Sequence, residues 1–132
     1  MSEVLRVEGL KKLFPVRRGI LQRVVVMYAG RKVEEAGVNA LFDRPIHPYT
    51  RGLMTSVPRG RQGARTRRLS EIPGMVPSLR EAAPGQAPFA GCAFAPRCGF
   101  AKSRCHEQAP PLLPYGEDHL AACWDIERVL AS

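Results

Sequence analysis

All four cysteines of this chain fall within 32 of its 132 residues: Cys92, Cys98, Cys105 and Cys123, in the spacing C-x5-C-x6-C-x17-C. The surrounding run is rich in proline, glycine and alanine and has no long apolar periodicity from which to build a core. Something besides side-chain burial has to organise it. Four sulfurs can do so as two disulfides, as a tetrahedral zinc site or as an iron–sulfur site. The opening Met1-Ser2-Glu3-Val4 shows no basic-then-apolar leader, so a reducing compartment is expected and disulfides are disfavoured. Zinc sites favour pairs separated by two to four residues, and gaps of five and six are loose for them. A cubane cluster accepts ligands spread more widely. Four unrelated free thiols are the bland reading, and the clustering weighs against it.

Twelve glycines and twelve prolines imply many turns and a small core. The fold class expected is a small α+β unit: short strands in a hairpin, short helices, then a loop-rich module ligated by cysteines. The formal net charge of +8 comes mainly from arginine. It permits contact with nucleic acid or an anionic membrane without demanding either. Five arginines lie between Arg59 and Arg68 with no aromatic among them. That favours a solvated loop over a single-strand binding site, and no nucleic-acid partner is expected.

In chain order, Val4–Val7 and Leu10–Phe14 read as β segments. Val24-Val25-Val26-Met27-Tyr28 is a continuous apolar run, Ala29-Gly30 a turn, and Arg31–Glu35 a return strand, which together make a hairpin. Val38–Phe42 reads as a short helix stopped by Pro45. A second helix begins at His47-Pro48, where proline suits the first turn, and Pro58 ends it. Tyr49, Leu53 and Val57 share one of its faces. His47 reads as a cap or packing residue at that helix start, in preference to a metal ligand. Ser70 to Leu79 is an extended, proline-punctuated strip, and residues 80–91 form a linker. The tail from Cys123 to Leu130 can make a helical turn or two, anchored by Trp124 and Ile126.

The run Ala40-Leu41-Phe42-Asp43-Arg44-Pro45-Ile46-His47-Pro48-Tyr49-Thr50-Arg51-Gly52-Leu53 resembles the C-terminal extension of oligopeptide/dipeptide ABC-transporter ATPase subunits. Glu71-Ile72-Pro73-Gly74-Met75-Val76-Pro77, Phe94-Ala95-Pro96-Arg97-Cys98 and Ala122-Cys123-Trp124 resemble it too. The resemblance covers about residues 23 to 128. It implies that Cys92, Cys98, Cys105 and Cys123 are metal ligands of a [4Fe–4S] cluster, with zinc as the alternative. Residues 7–16 are similar to the first strands of the family's nucleotide-binding domain, and the resemblance gives Phe14 the adenine-stacking position. Without phosphate contacts, stacking alone adds too little to hold ATP, so Phe14 is expected to be non-functional here.

Most of what lies between those two pieces in the family has no counterpart in this sequence. It contains no G-x-x-x-x-G-K-[ST], no apolar strand ending in Asp-Glu and no Leu-Ser-Gly-Gly-Gln. The expectation is a family member with an internal deletion whose junction lies near Gln22–Val25. Residues 1–36 would be remnant strands of the nucleotide-binding domain. Residues 37–132 would be the transporter C-terminal region, with the cysteine module at about 90–128. No catalytic residue is assigned, and the chain is not expected to hydrolyse ATP, which belongs to the parent family. In that family the partners are a second ATPase subunit and membrane-spanning permease subunits. That places the chain in the cytoplasm, peripheral to the inner face of the cell membrane. The competing expectation is a stand-alone iron–sulfur or zinc module that binds intact transporter ATPase subunits.

Overall fold

A computed structural model describes residues 22–56, 70–78 and 89–132. Phe14, the strands expected before residue 15, the arginine-rich loop, Val57, Pro58 and Leu79 lie outside the described residues.

The element order is β1 (Arg23–Tyr28), β2 (Arg31–Gly37), α1 (Val38–Asp43), α2 (Pro48–Ser56), a 3-10 turn at Ala95–Arg97, α3 (Ser103–Glu107), β3 (Leu113–Pro114), β4 (His119–Ala121) and α4 (Ile126–Leu130). This is the small α+β arrangement expected from the sequence, with an antiparallel sheet and short helices. The hairpin forms where the β-branched run predicts it. Ala29 and Gly30 both take positive φ, 47° and 78°, as a two-residue turn matched to strand twist requires. A bulge between Val26 and Met27 re-aims the end of β1.

The sheet order is β1-β2-β4-β3. Thus β2 is a central strand, paired with β1 on one side and with β4 on the other. Its register sets Glu34 opposite Ala121 and Ala36 opposite His119. Val33, Glu34 and Ala36 are all buried, because both faces of this strand are covered.

Two apolar clusters flank the sheet. Tyr28, Val33, Ala93 and Phe94 form one, with Tyr49 and Ile72 against it. Its aromatic rings meet edge to face, Tyr28 lying 4.7 Å from Tyr49 and 5.2 Å from Phe94 between centroids, the geometry that ring quadrupoles favour. Ile46, Ala121 and Ile126 form the second, with Tyr115 and Cys123 against it. Ile126 and Val129 on α4 are buried, so the tail helix docks on the body. Trp124 anchors it differently from a buried apolar residue. Its ring carries the Arg104 guanidinium 3.5 Å from the centroid, and its Nε1–H donates to the Gln108 carbonyl at 2.9 Å.

The strip at 70–78 is held by the Ser56 hydroxyl, which donates to the Ser70 carbonyl, by Ile72 packed on the first cluster, and by Arg97. Arg97 Nε donates to the Pro73 carbonyl at 2.9 Å and Nη2 to the Ile72 carbonyl at 2.8 Å, while Nη1 lies 3.3 Å from the Tyr28 hydroxyl. Met75 and Val76, 89% and 65% exposed, stand at its tip. Among the described residues no helix is long and apolar enough to cross a membrane.

Candidate functional site

The four cysteines come from four separate stretches and line one small cavity. Cys92 follows Gly91 in a loop that Arg31 holds from β2 through the carbonyls of Phe89 and Gly91, at 3.4 and 3.5 Å. Its amide donates to the Cys105 carbonyl at 2.7 Å, and its own carbonyl accepts from Ala95 N–H at 3.0 Å. Cys98 closes the 3-10 turn, and its sulfur lies 3.4 Å from the Phe100 amide. Cys105 sits in α3, and Cys123 follows β4. All four border the same cavity, together with His47, Phe94 and Phe100.

That cavity has a volume of about 20 Å³, room for about one water molecule. Among the described residues, no three His, Cys, Asp or Glu side chains are grouped so as to hold a metal ion. The [4Fe–4S] cluster, and zinc as its alternative, are therefore not what this structure supports. Convergence on a cavity is a looser condition than convergence on one ion, and sequence spacing does not separate the two.

Burial raises the pKa of Cys92 and of Cys98, although backbone amides beside each sulfur offset part of the rise. Burial, with the other three thiols adding to it, pushes Cys123 up to about 11. With no ion bound, these three are protonated thiols at neutral pH. All four cysteines are free and partly buried.

Behind the cavity stands a polar knot that the sequence reading did not single out. Glu34, with 0% of its surface exposed, accepts from Ile46 N–H at 2.8 Å and His47 N–H at 2.9 Å. His119 Nε2 lies 2.6 Å from its Oε1. A buried carboxylate needs this number of partners. His47 is the cap expected from its place before Pro48: its Nδ1 accepts the Tyr49 amide at 3.1 Å. The ring is 1% exposed, and burial lowers its pKa to about 4. The neutral form is the one that can accept. The only hint of the knot in the sequence is a glutamate inside a strand, which a half-exposed hairpin would tolerate equally well.

Comparison with known proteins fits this arrangement. The family model for the oligopeptide/dipeptide transporter C-terminal region matches residues 33–105. A probable peptide ABC transporter ATP-binding protein of Sinorhizobium fredii is 56% identical over 109 residues, covering 83% of this chain and 30% of the relative. A putative peptide import ATP-binding protein of Brucella ovis is 48% identical over 116 residues, covering 85% and 32%. The oligopeptide transport ATP-binding protein OppD of Mycobacterium tuberculosis is 49% identical over 107 residues, covering 81% and 16%. The chain thus spans less than a third of the length of each of these relatives. With more than half of its residues matched by the family model, this chain belongs to the oligopeptide/dipeptide transporter C-terminal-region family.

Proposed function

We propose that this chain acts as the C-terminal structural and regulatory module of a peptide ABC importer's ATP-binding subunit and does not itself hydrolyse ATP. The observation that carries this reading is the family match, which runs from β2 through α3. Those residues include the buried Glu34 and the main-chain groups of Ile46 and His47 that it ties down. The module is thus a fastened unit. The sequence has no phosphate-cradling G-x-x-x-x-G-K-[ST]. Di- or oligopeptides as cargo, and a second ATPase subunit and permease subunits as partners, follow from the relatives' names and from the family. The chain would then sit in the cytoplasm against the membrane's inner face. An internal loss near Gln22–Val25 is the origin that accounts for the missing motifs, and sequencing across the locus tests it. For the function itself, ATP turnover by the purified chain should not rise above a buffer blank. Turnover that saturates with ATP would overturn the reading.

A second reading is a stand-alone module that docks on intact transporter ATPase subunits. The exposed Met75–Val76 tip, held in place by Arg97, favours it. Retention of an intact peptide-importer ATP-binding subunit on the immobilised chain, lost in Met75→Ser/Val76→Ser, would support it. Equal retention by the double variant would remove it.

A further inference from the structure

A second cavity, bordered by no cysteine, opens where α2, the strip at 70–78 and the residues around the 3-10 turn meet. Its volume is about 260 Å³, against about 20 Å³ for the cysteine cavity. At about 30 Å³ for each water-sized group, it has room for about nine of them, which matches a mid-sized amino acid. Gly52 brings two of its walls together, since a Cβ there would fall 2.9 Å from the Ile72 side chain. Ile72, Phe94 and Phe100 give it apolar surface, and Glu71 and Arg97 are its two charged residues. An apolar cavity with a few polar groups is the usual form of a small-molecule site.

The two charges are differently placed. Glu71 is exposed and has no hydrogen-bond or ion-pair partner among the described residues. Arg97 is held in place, with Nε, Nη1 and Nη2 directed to Pro73, Tyr28 and Ile72. Those bonds fix the guanidinium plane and leave some of its N–H groups without a partner among the described residues. A fixed planar fork with spare donors suits a carboxylate. A carboxylate that only accepts suits an ammonium group.

We propose that this cavity binds a free amino acid with an aliphatic side chain. Its carboxylate takes the spare N–H groups of Arg97, its ammonium group takes Glu71, and its side chain rests on Ile72, Phe94 and Phe100. One charge of each sign favours a zwitterion over a simple anion or cation, and the volume favours a side chain of leucine size. The site does not depend on the transporter role proposed above.

The test titrates the full, nitrogen-15-labelled chain with L-leucine and follows its amide NMR signals. Saturable shifts are expected at residues 70–73 and 97–100. L-Leucinamide, which lacks the carboxylate, and N-acetyl-L-leucine, which lacks the ammonium group, should each bind about fivefold more weakly or worse. Glycine has no side chain to bury and should bind at least about tenfold more weakly. Glu71→Gln should weaken L-leucine about two- to fivefold and leave N-acetyl-L-leucine unchanged. No saturation by L-leucine up to about 10 mM, shifts centred elsewhere, or equal binding of all four compounds would overturn the assignment. So would an equal loss of both leucine compounds in Glu71→Gln. The series of compounds on the unsubstituted chain decides the matter whatever the stability of the variant.

Discussion

Glu34 and His119, 85 residues apart in the chain, meet at 2.6 Å with their side chains only 0% and 8% exposed. Around that contact the same carboxylate holds the amides that open α2. One side chain on a central strand thus joins the hairpin, the α2 start and the C-terminal strand. A buried group with several dependants costs much to remove, because every dependant is left without a partner.

Glu34→Ala should therefore destabilise the chain by about 3–5 kcal/mol, enough to unfold most small domains. Glu34→Gln keeps one acceptor oxygen and the shape, and should cost less, about 1–3 kcal/mol. Urea denaturation followed by tryptophan fluorescence, through the chain's single Trp124, ranks the two. Equal midpoints for Glu34→Ala and the unsubstituted chain would show that the knot contributes nothing.

His47 sets a pH dependence. Its ordinary value is 6.5, and burial lowers it to about 4 in the folded chain. Between those values the unfolded chain binds more protons than the folded one. Stability is thus fully present above about pH 6.5 and is lost as pH falls towards 4, by about 3 kcal/mol from this group. His47→Asn keeps an oxygen that can cap Tyr49 and has no titrating ring, so its stability should be flatter over that interval. Thermal melts at pH 7 and pH 4.5 for both proteins check the difference.

Gly74 and Arg97 act together. Gly74 has φ of 87°, and a Cβ there would sit 3.1 Å from the Arg97 side chain. Gly74→Ala is strained by about 1–2 kcal/mol and also presses on the clasp. Arg97→Lys keeps the charge but loses the planar fork that reaches two carbonyls and a hydroxyl. Both variants should speed proteolytic cleavage at 70–78 by several fold, with the cysteine region cut no faster. Unchanged cleavage would mean that the strip is held without the Arg97 clasp, by contacts such as Ile72 packing and the Ser56 hydroxyl.

Thr50 is fully buried, and its hydroxyl has no hydrogen-bond partner among the described residues. An unpaired buried hydroxyl costs about 1–3 kcal/mol. Thr50→Val keeps the branching and removes the hydroxyl, so it should raise stability by about 1 kcal/mol. A fall of similar size in the denaturation midpoint would mean that the hydroxyl is satisfied in solution.

The hairpin, the helix starting at Pro48 and its histidine cap were legible in the sequence, because local chemistry decides them. A β-branched run, a two-residue turn and a proline at a first helical position act over a few residues and need no partner. The family was legible for a similar reason, since its motifs are contiguous words. The metal expectation failed at the next level. Spacing states which cysteines can approach one another along the chain, but not whether their sulfurs point at a common centre. Packing decided that, drawing four thiols around a cavity of about 20 Å³ and leaving no three suitable side chains grouped for an ion among the described residues. Glu34 shows the same division. By sequence it is one charge in a weakly alternating strand. Only the pairing of β2 with both β1 and β4 buries it and supplies its partners, because desolvation and long-range hydrogen bonds exist only once distant segments have met.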